Sequence, residues 1–156
     1  MDIDITFLSI LKLMGAAFIT YVFLPLALVC RDFVLWKAID RFILTDELIH
    51  KINVYASFLV NWNTNFVGKV SIESKHNTTK YFIDDEEVKK EKWDAYRKDR
   101  DDLQDAMNKT LFYIKRRSNL VTWLLKHYKQ ESDNPVKKLS DTANLREKEL
   151  HERENS

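Results

Sequence analysis

The hydrophobic and polar positions fall into stretches of different rhythm. From Leu13 to Cys30 the chain reads LMGAAFITYVFLPLALVC, eighteen residues without a charge. Phe7 to Leu11 extends the run backward across Lys12, giving twenty-four residues from Phe7 to Cys30. About 20 apolar residues cross ~30 Å of hydrocarbon. Residues 7–30 are therefore expected to be a transmembrane helix, with residues 1–6 outside. Pro25 bends its second half, and Ala16 and Thr20 have the four-residue spacing of a small-residue contact.

The next stretch, RDFVLWKAIDRFILT over residues 31–45, has a helical period. Phe33, Leu35, Trp36, Ile39, Phe42 and Ile43 form a broad apolar arc, and Lys37, Asp40 and Arg41 share the opposite face. The reading is an amphipathic interfacial helix, lying on the membrane surface or packed on the rest of the chain. Residues 46–62 fit both a helical stripe and a strand alternation. Length and the Thr45–Asp46 start favour a helix.

Alternation over Phe66 to Glu73, a turn at Ser74 to Thr78 and a return at Lys80 to Ile83 predict a β-hairpin within 66–83. Such a hairpin is marginal alone. Asp84-Asp85-Glu86-Glu87 then reads as the acidic opening of a long polar helix over 84–108. Its thin apolar edge, Tyr96, Leu103 and Met107, suits edgewise or coiled-coil contact with a partner. Residues 111–128 are apolar again. Leu111, Ile114, Val121, Leu124, Leu125 and Tyr128 share a face if the helix continues, with Ser118-Asn119 as the alternative kink. This block is expected to pair antiparallel with 46–62 and cover the hairpin. Residues 130–156 are charged, broken by Pro135, and hold only Leu139, Leu145 and Leu150, so they read as a flexible or partner-bound tail. The expected fold class is mainly α: a single transmembrane helix followed by a small helical cytosolic domain, residues 46–129, with a possible β-hairpin.

Composition removes several chemistries. Two glycines and two prolines leave no Gly-rich phosphate loop and no dinucleotide fingerprint. The one cysteine, Cys30, excludes an intramolecular disulfide. His50, His76, His127 and His151 lack the spacing of a helical zinc pair. The carboxylates at Asp84–Glu87 and Asp99–Asp105 are interleaved with Arg97, Lys98 and Arg100, which reads as a solvated helix face rather than a metal or acid–base site. No catalytic, cofactor-binding or metal residue is assigned.

Charge sets direction. Only Lys12 precedes Leu13, whereas Arg31, Lys37, Arg41 and Lys51 follow the span. The positive side faces the cytoplasm, so the N-terminus is expected outside and residues 31–156 in the cytoplasm or on the mitochondrial matrix side. The acidic start MDIDIT and the long core argue against a cleaved signal. On this topology the acceptor triplets at Asn77 and Asn108 stay unmodified.

The 25 basic and 24 acidic residues nearly balance, but they are segregated. Residues 84–108 hold ten acidic and six basic side chains, and residues 109–129 hold six basic and none acidic. The basic block accompanies Phe112, Tyr113 and Trp123. An internal match with the preceding acidic helix is the first explanation, attraction to anionic lipid the second, and nucleic acid the third. The candidate residues for membrane-surface or partner contact are Trp36, Lys37, Arg41, Lys115, Arg116, Arg117 and Trp123. The expected function is non-catalytic: an accessory or regulatory subunit of a larger membrane-associated complex, with membrane lipid and a protein as partners. No nucleic acid and no small-molecule substrate are expected. The alternative is a phage- or plasmid-type membrane effector for immunity, exclusion or pore modulation.

Overall fold

The computed structural model describes residues 7–75 and 78–154. The segment expected outside, residues 1–6, lies beyond the described residues, as do His76 and the acceptor Asn77. The chain divides into two units, Met1–Ile43 and Leu44–Ser156.

The described residues of the first unit form one helix, α1 (Phe7–Ile43), of 37 residues. It passes Cys30 and Arg31 without a break, so the expected span and the expected interfacial helix are one element. Two π-helical turns interrupt its α-helical ladder, at Ile19–Phe23 and Ile39–Ile43. The first lies just before Pro25. A proline there has no N–H to donate, and its ring strikes the carbonyl four residues back. The wider turn, in which the Leu24 N–H donates to the Ile19 carbonyl, takes up the misfit. The Thr20 hydroxyl donates to the Ala16 carbonyl at 2.8 Å, a bond within the helix itself. Every side chain from Phe7 to Cys30 is exposed. Beyond Cys30 the apolar arc is narrower than its composition suggests. Leu35, Ile39 and Ile43, one turn apart, are buried, whereas Phe33, Val34 and Phe42 are exposed.

The second unit contains α2 (Asp46–Asn65), β1 (Val70–Lys75), β2 (Thr78–Ile83), β3 (Glu86–Val88), α3 (Lys90–His127) and α4 (Pro135–Glu154). Helix α2 starts where its sequence supplies a cap. Thr45 is extended, and its hydroxyl accepts the Leu48 N–H at 3.4 Å. Leu48, Ile52 and Ala56, four residues apart, are buried, so the helical period decides the ambiguous stretch.

The three helices form a bundle. The Tyr96 hydroxyl donates to the Asn65 carbonyl, joining the start of α3 to the end of α2. Asn134, just before α4, reaches Ser118 and Thr122 near the end of α3. Thr64 and His151 join the C-terminal ends of α2 and α4 at 2.9 Å. Hence α2 and α4 run parallel, and both run antiparallel to α3. The core takes Leu48, Ile52 and Ala56 from α2, Ile114, Val121 and Leu125 from α3, and Val136 and Ala143 from α4. Burying an aliphatic side chain of this size contributes roughly 1.5–3 kcal/mol.

The hairpin expected within 66–83 is a three-stranded antiparallel sheet in the order β1-β2-β3. β1 and β2 pair from Val70 with Ile83 to Lys75 with Thr78. Phe66 belongs to the end of α2, where its N–H bonds the Trp62 carbonyl, and Gly68 at φ 73° makes the turn into β1. The third strand corrects the acidic helix start. Asp84 and Asp85 adopt φ of 52° and 63°, the left-handed pair that a tight two-residue hairpin turn requires. Asp tolerates this region better than most residues because its short side chain bonds locally. The Asp84 N–H donates to the Lys69 carbonyl at 2.8 Å, and Lys80 pairs with Glu87 across β2 and β3 at 2.7 Å. The long helix therefore begins at Lys90 rather than Asp84, and it continues through Ser118 and Asn119 to His127.

The tail expectation is also corrected. Residues 135–154 are a helix packed into the bundle. Pro135 sits in its first turn, where a missing N–H costs nothing. The Asn134 carboxamide oxygen caps that turn by accepting from Val136 at 2.9 Å and Lys137 at 3.3 Å. Leucines do not make its core stripe. Val136 and Ala143 do, seven residues apart, while Leu139, Leu145 and Leu150 are exposed.

Aromatic pairs join α2 to α3 and β2 to α3. Trp62 packs on Phe66 (5.7 Å between centroids), Phe66 on Tyr96 (5.1 Å) and Tyr81 on Trp93 (5.1 Å). Burial raises the Tyr96 phenol above its ordinary range, and the Asp84 charge adds to the rise.

Candidate functional site

The basic block lies in the second half of α3, and the phase of that helix decides what it presents. Ile114, Val121 and Leu125 face the core. A rotation of ~100° per residue places Phe112, Arg116 and Trp123 on the opposite side of the helix. Phe112 is 71% exposed and Trp123 59%. Trp123 is stacked on the His127 ring, with centroids 5.3 Å apart and planes at 15°. The same rotation sets Lys115 and Lys126 along one side of this aromatic line, and Lys109 and Arg116 along the other. All four basic side chains are exposed.

Continuity of α3 removes the internal charge match. The acidic and basic segments follow one another along a single helix of 38 residues, about 57 Å long at 1.5 Å per residue. They cannot fold back on each other. Ion pairs in the acidic half are local, such as Arg97–Asp101 at 3.8 Å and Arg100–Asp101 at 2.9 Å. Among the described residues, no ion pair engages Lys109, Lys115, Arg116 or Lys126.

Arg117 differs from its neighbours. It is half-buried, its guanidinium lies 5.4 Å from the Tyr113 ring centre, and it donates to the Tyr113 hydroxyl at 3.4 Å. Lys51 of α2 approaches the same ring at 5.3 Å. Tyr113 thus holds two cations between α2 and α3, and Arg117 belongs to the packing more than to the outer face. Of the other candidates, Trp36, Lys37 and Arg41 belong to α1. Trp36 is half-buried, and Lys37 and Arg41 are exposed.

Two features escape the residue pattern. One is the Asn134 latch. Its amide nitrogen donates to the Ser118 carbonyl and to Thr122 Oγ1, both at 2.8 Å, while its oxygen caps α4. The other is a groove of about 340 Å³ between α2 and α4, lined by Ala56, Leu59, Val60, Asn144 and Lys148 and crossed by the Thr64–His151 bond. The Asn144 carboxamide oxygen is buried without a hydrogen-bond donor. Spacing alone could not show either feature, because both depend on α4 docking. Among the described residues, no three His, Cys, Asp or Glu side chains gather to hold a metal ion.

The described geometry offers surfaces: an apolar α1 and an outer face of α3 that carries aromatics and positive charge. No family model, curated protein or solved structure matches the chain.

Proposed function

We propose that the protein is a single-pass membrane protein acting non-catalytically, as an accessory or regulatory subunit of a larger membrane-associated complex. Its N-terminus lies outside, and the bundle lies on the cytoplasmic or matrix side. One observation carries this reading: twenty-four consecutive, mostly apolar residues, Phe7 to Cys30, have no buried side chain. In water such a surface is far larger than a soluble monomer ordinarily exposes. In hydrocarbon it is the expected state, and the helical ladder satisfies the backbone there.

The length of α1 adds to this. At 1.5 Å per residue its 37 residues extend about 55 Å, nearly twice the ~30 Å hydrocarbon thickness. The part from Arg31 onward then extends beyond the hydrocarbon, with Lys37 and Arg41 on the positive side. The subunit role is motivated by exposed aromatic and aliphatic side chains outside α1, among them Phe112, Trp123 and Leu145. Blue-native electrophoresis after mild detergent extraction tests it. The expected result is migration with other polypeptides at a mass well above that of the 18.6 kDa chain. A monodisperse monomer with nothing cross-linked to it contradicts the subunit role.

A further inference from the structure

The outer face of α3 has an occupant that its charge selects. We infer that Phe112 and Trp123, flanked by Lys109, Lys115, Arg116 and Lys126, lie against the anionic lipid leaflet on the bundle's side of the membrane. The arrangement is that of an interfacial helix, with apolar side chains at the centre and basic ones on both flanks. The aliphatic stems of lysine and arginine cover apolar surface while their charged ends reach the headgroups. The cytoplasmic leaflet is the anionic one, the side on which the proposed topology places α3. This inference rests on that topology.

A second copy of the chain fits less well. Antiparallel pairing of two α3 helices about their centre would bring Asp101 to Arg116, a favourable contact. It would also set Asp105 against Phe112 and Asp94 against Trp123, burying carboxylates against aromatic rings without partners. Parallel pairing would oppose like charges along the whole basic half. A lipid surface that meets only the basic half of α3, with Asp94, Asp101 and Asp105 left in water, suits both the charge and the aromatics.

The test uses the full chain reconstituted in vesicles at high lipid excess. Cys30→Ser removes the native thiol, and Asn119→Cys, exposed on the same face, carries a nitroxide. Vesicles are neutral phosphatidylcholine or the same lipid with 30% phosphatidylglycerol. The expected result is a several-fold loss of collision with an aqueous nickel complex, and a gain with oxygen, in the anionic vesicles alone. Adding Lys115→Glu and Arg116→Glu abolishes that difference. Equal aqueous exposure in both vesicles overturns the inference, and so does equal protection in both. Protection that disappears on further lipid dilution identifies a second copy and also overturns it. Vesicle flotation at alkaline pH separates the two layers of the argument: a chain that floats with the lipid but keeps an aqueous label defeats this inference alone, whereas a chain stripped from the vesicles defeats the anchor.

Discussion

Helix α1 and the α2–α4 bundle treat apolar side chains in opposite ways. The bundle buries a few: Leu48, Ile52 and Ala56 on α2, Ile114, Val121 and Leu125 on α3, and Val136 and Ala143 on α4. Its other faces mix charged side chains with exposed apolar ones such as Phe112, Trp123 and Leu145. From Phe7 to Cys30, α1 buries none, although nearly every position is apolar. The contrast teaches that apolar composition and burial part company in this chain: the bundle covers its apolar stripes, whereas the apolar surface from Phe7 to Cys30 stays uncovered. The bundle has the one-sided stripes of helices that exclude water from a shared core. Helix α1 has no buried stripe over this stretch; its side chains are exposed on every side, the arrangement that the proposed span requires.

The contrast can be attacked from either side, beginning with the largest effect. Leu48→Ala should destabilise the bundle by about 2–5 kcal/mol, seen as a clear fall in Tm by near-UV circular dichroism. Leu13→Ala in α1, where no packing is lost, should leave that Tm unchanged. A comparable fall for both would erase the distinction. Phe18→Arg should act in the reverse sense. A charge at the centre of a span costs about 2.5–3.5 kcal/mol on insertion scales, so membrane integration should drop while the bundle's Tm in detergent stays the same.

Asn134→Ala should cost the bundle about 1–2 kcal/mol, a cap plus the bonds to α3. Asn134→Asp keeps the cap and loses the donors, so its Tm should fall between those of the alanine variant and the parent. Asp85→Gly should stabilise the bundle by up to about 1 kcal/mol, because glycine adopts the left-handed turn without a Cβ penalty. Urea titration followed by fluorescence measures it, and a loss of stability would dispute the turn.

The smallest effect is at high pH. The hydrogen bond and charge of Glu87 raise the Lys80 pKa, and burial raises Tyr55 and Tyr96. Each group binds its proton more tightly in the folded state. Their contribution is full below the ordinary values of 10.0 and 10.5 and is lost as pH rises through the folded ones. Bundle stability should therefore be flat from neutral pH and decline above about pH 10. Lys80→Met should remove the lysine share of that decline.

Much of this division is legible in the residues, for physical reasons. A run as long as Phe7–Cys30 marks a long apolar helix, and the Thr45 cap with a four-residue apolar repeat marks α2. The exposure of Lys115, Arg116 and Trp123 follows from the phase of α3 once its core face is known. Arg117 does not follow, because its inward turn depends on the Tyr113 ring and on Lys51 from another helix. β3 was hidden because Glu86 and Glu87 are poor strand formers, and because no glycine announced the left-handed turn at Asp84 and Asp85. Helix α4 was hidden for a related reason. Its core contribution is a valine and an alanine, and its start depends on one asparagine that joins residues sixteen apart in sequence.

The central claim is that α1 is retained and crosses a bilayer. Alkaline carbonate extraction of membranes from cells producing the full chain, followed by intact-mass measurement of the pellet, tests it most directly. The account predicts that the chain stays in the pellet with residues 7–30 still attached. Release of the intact chain into the supernatant, or a mature mass lacking the N-terminal helix, would contradict it.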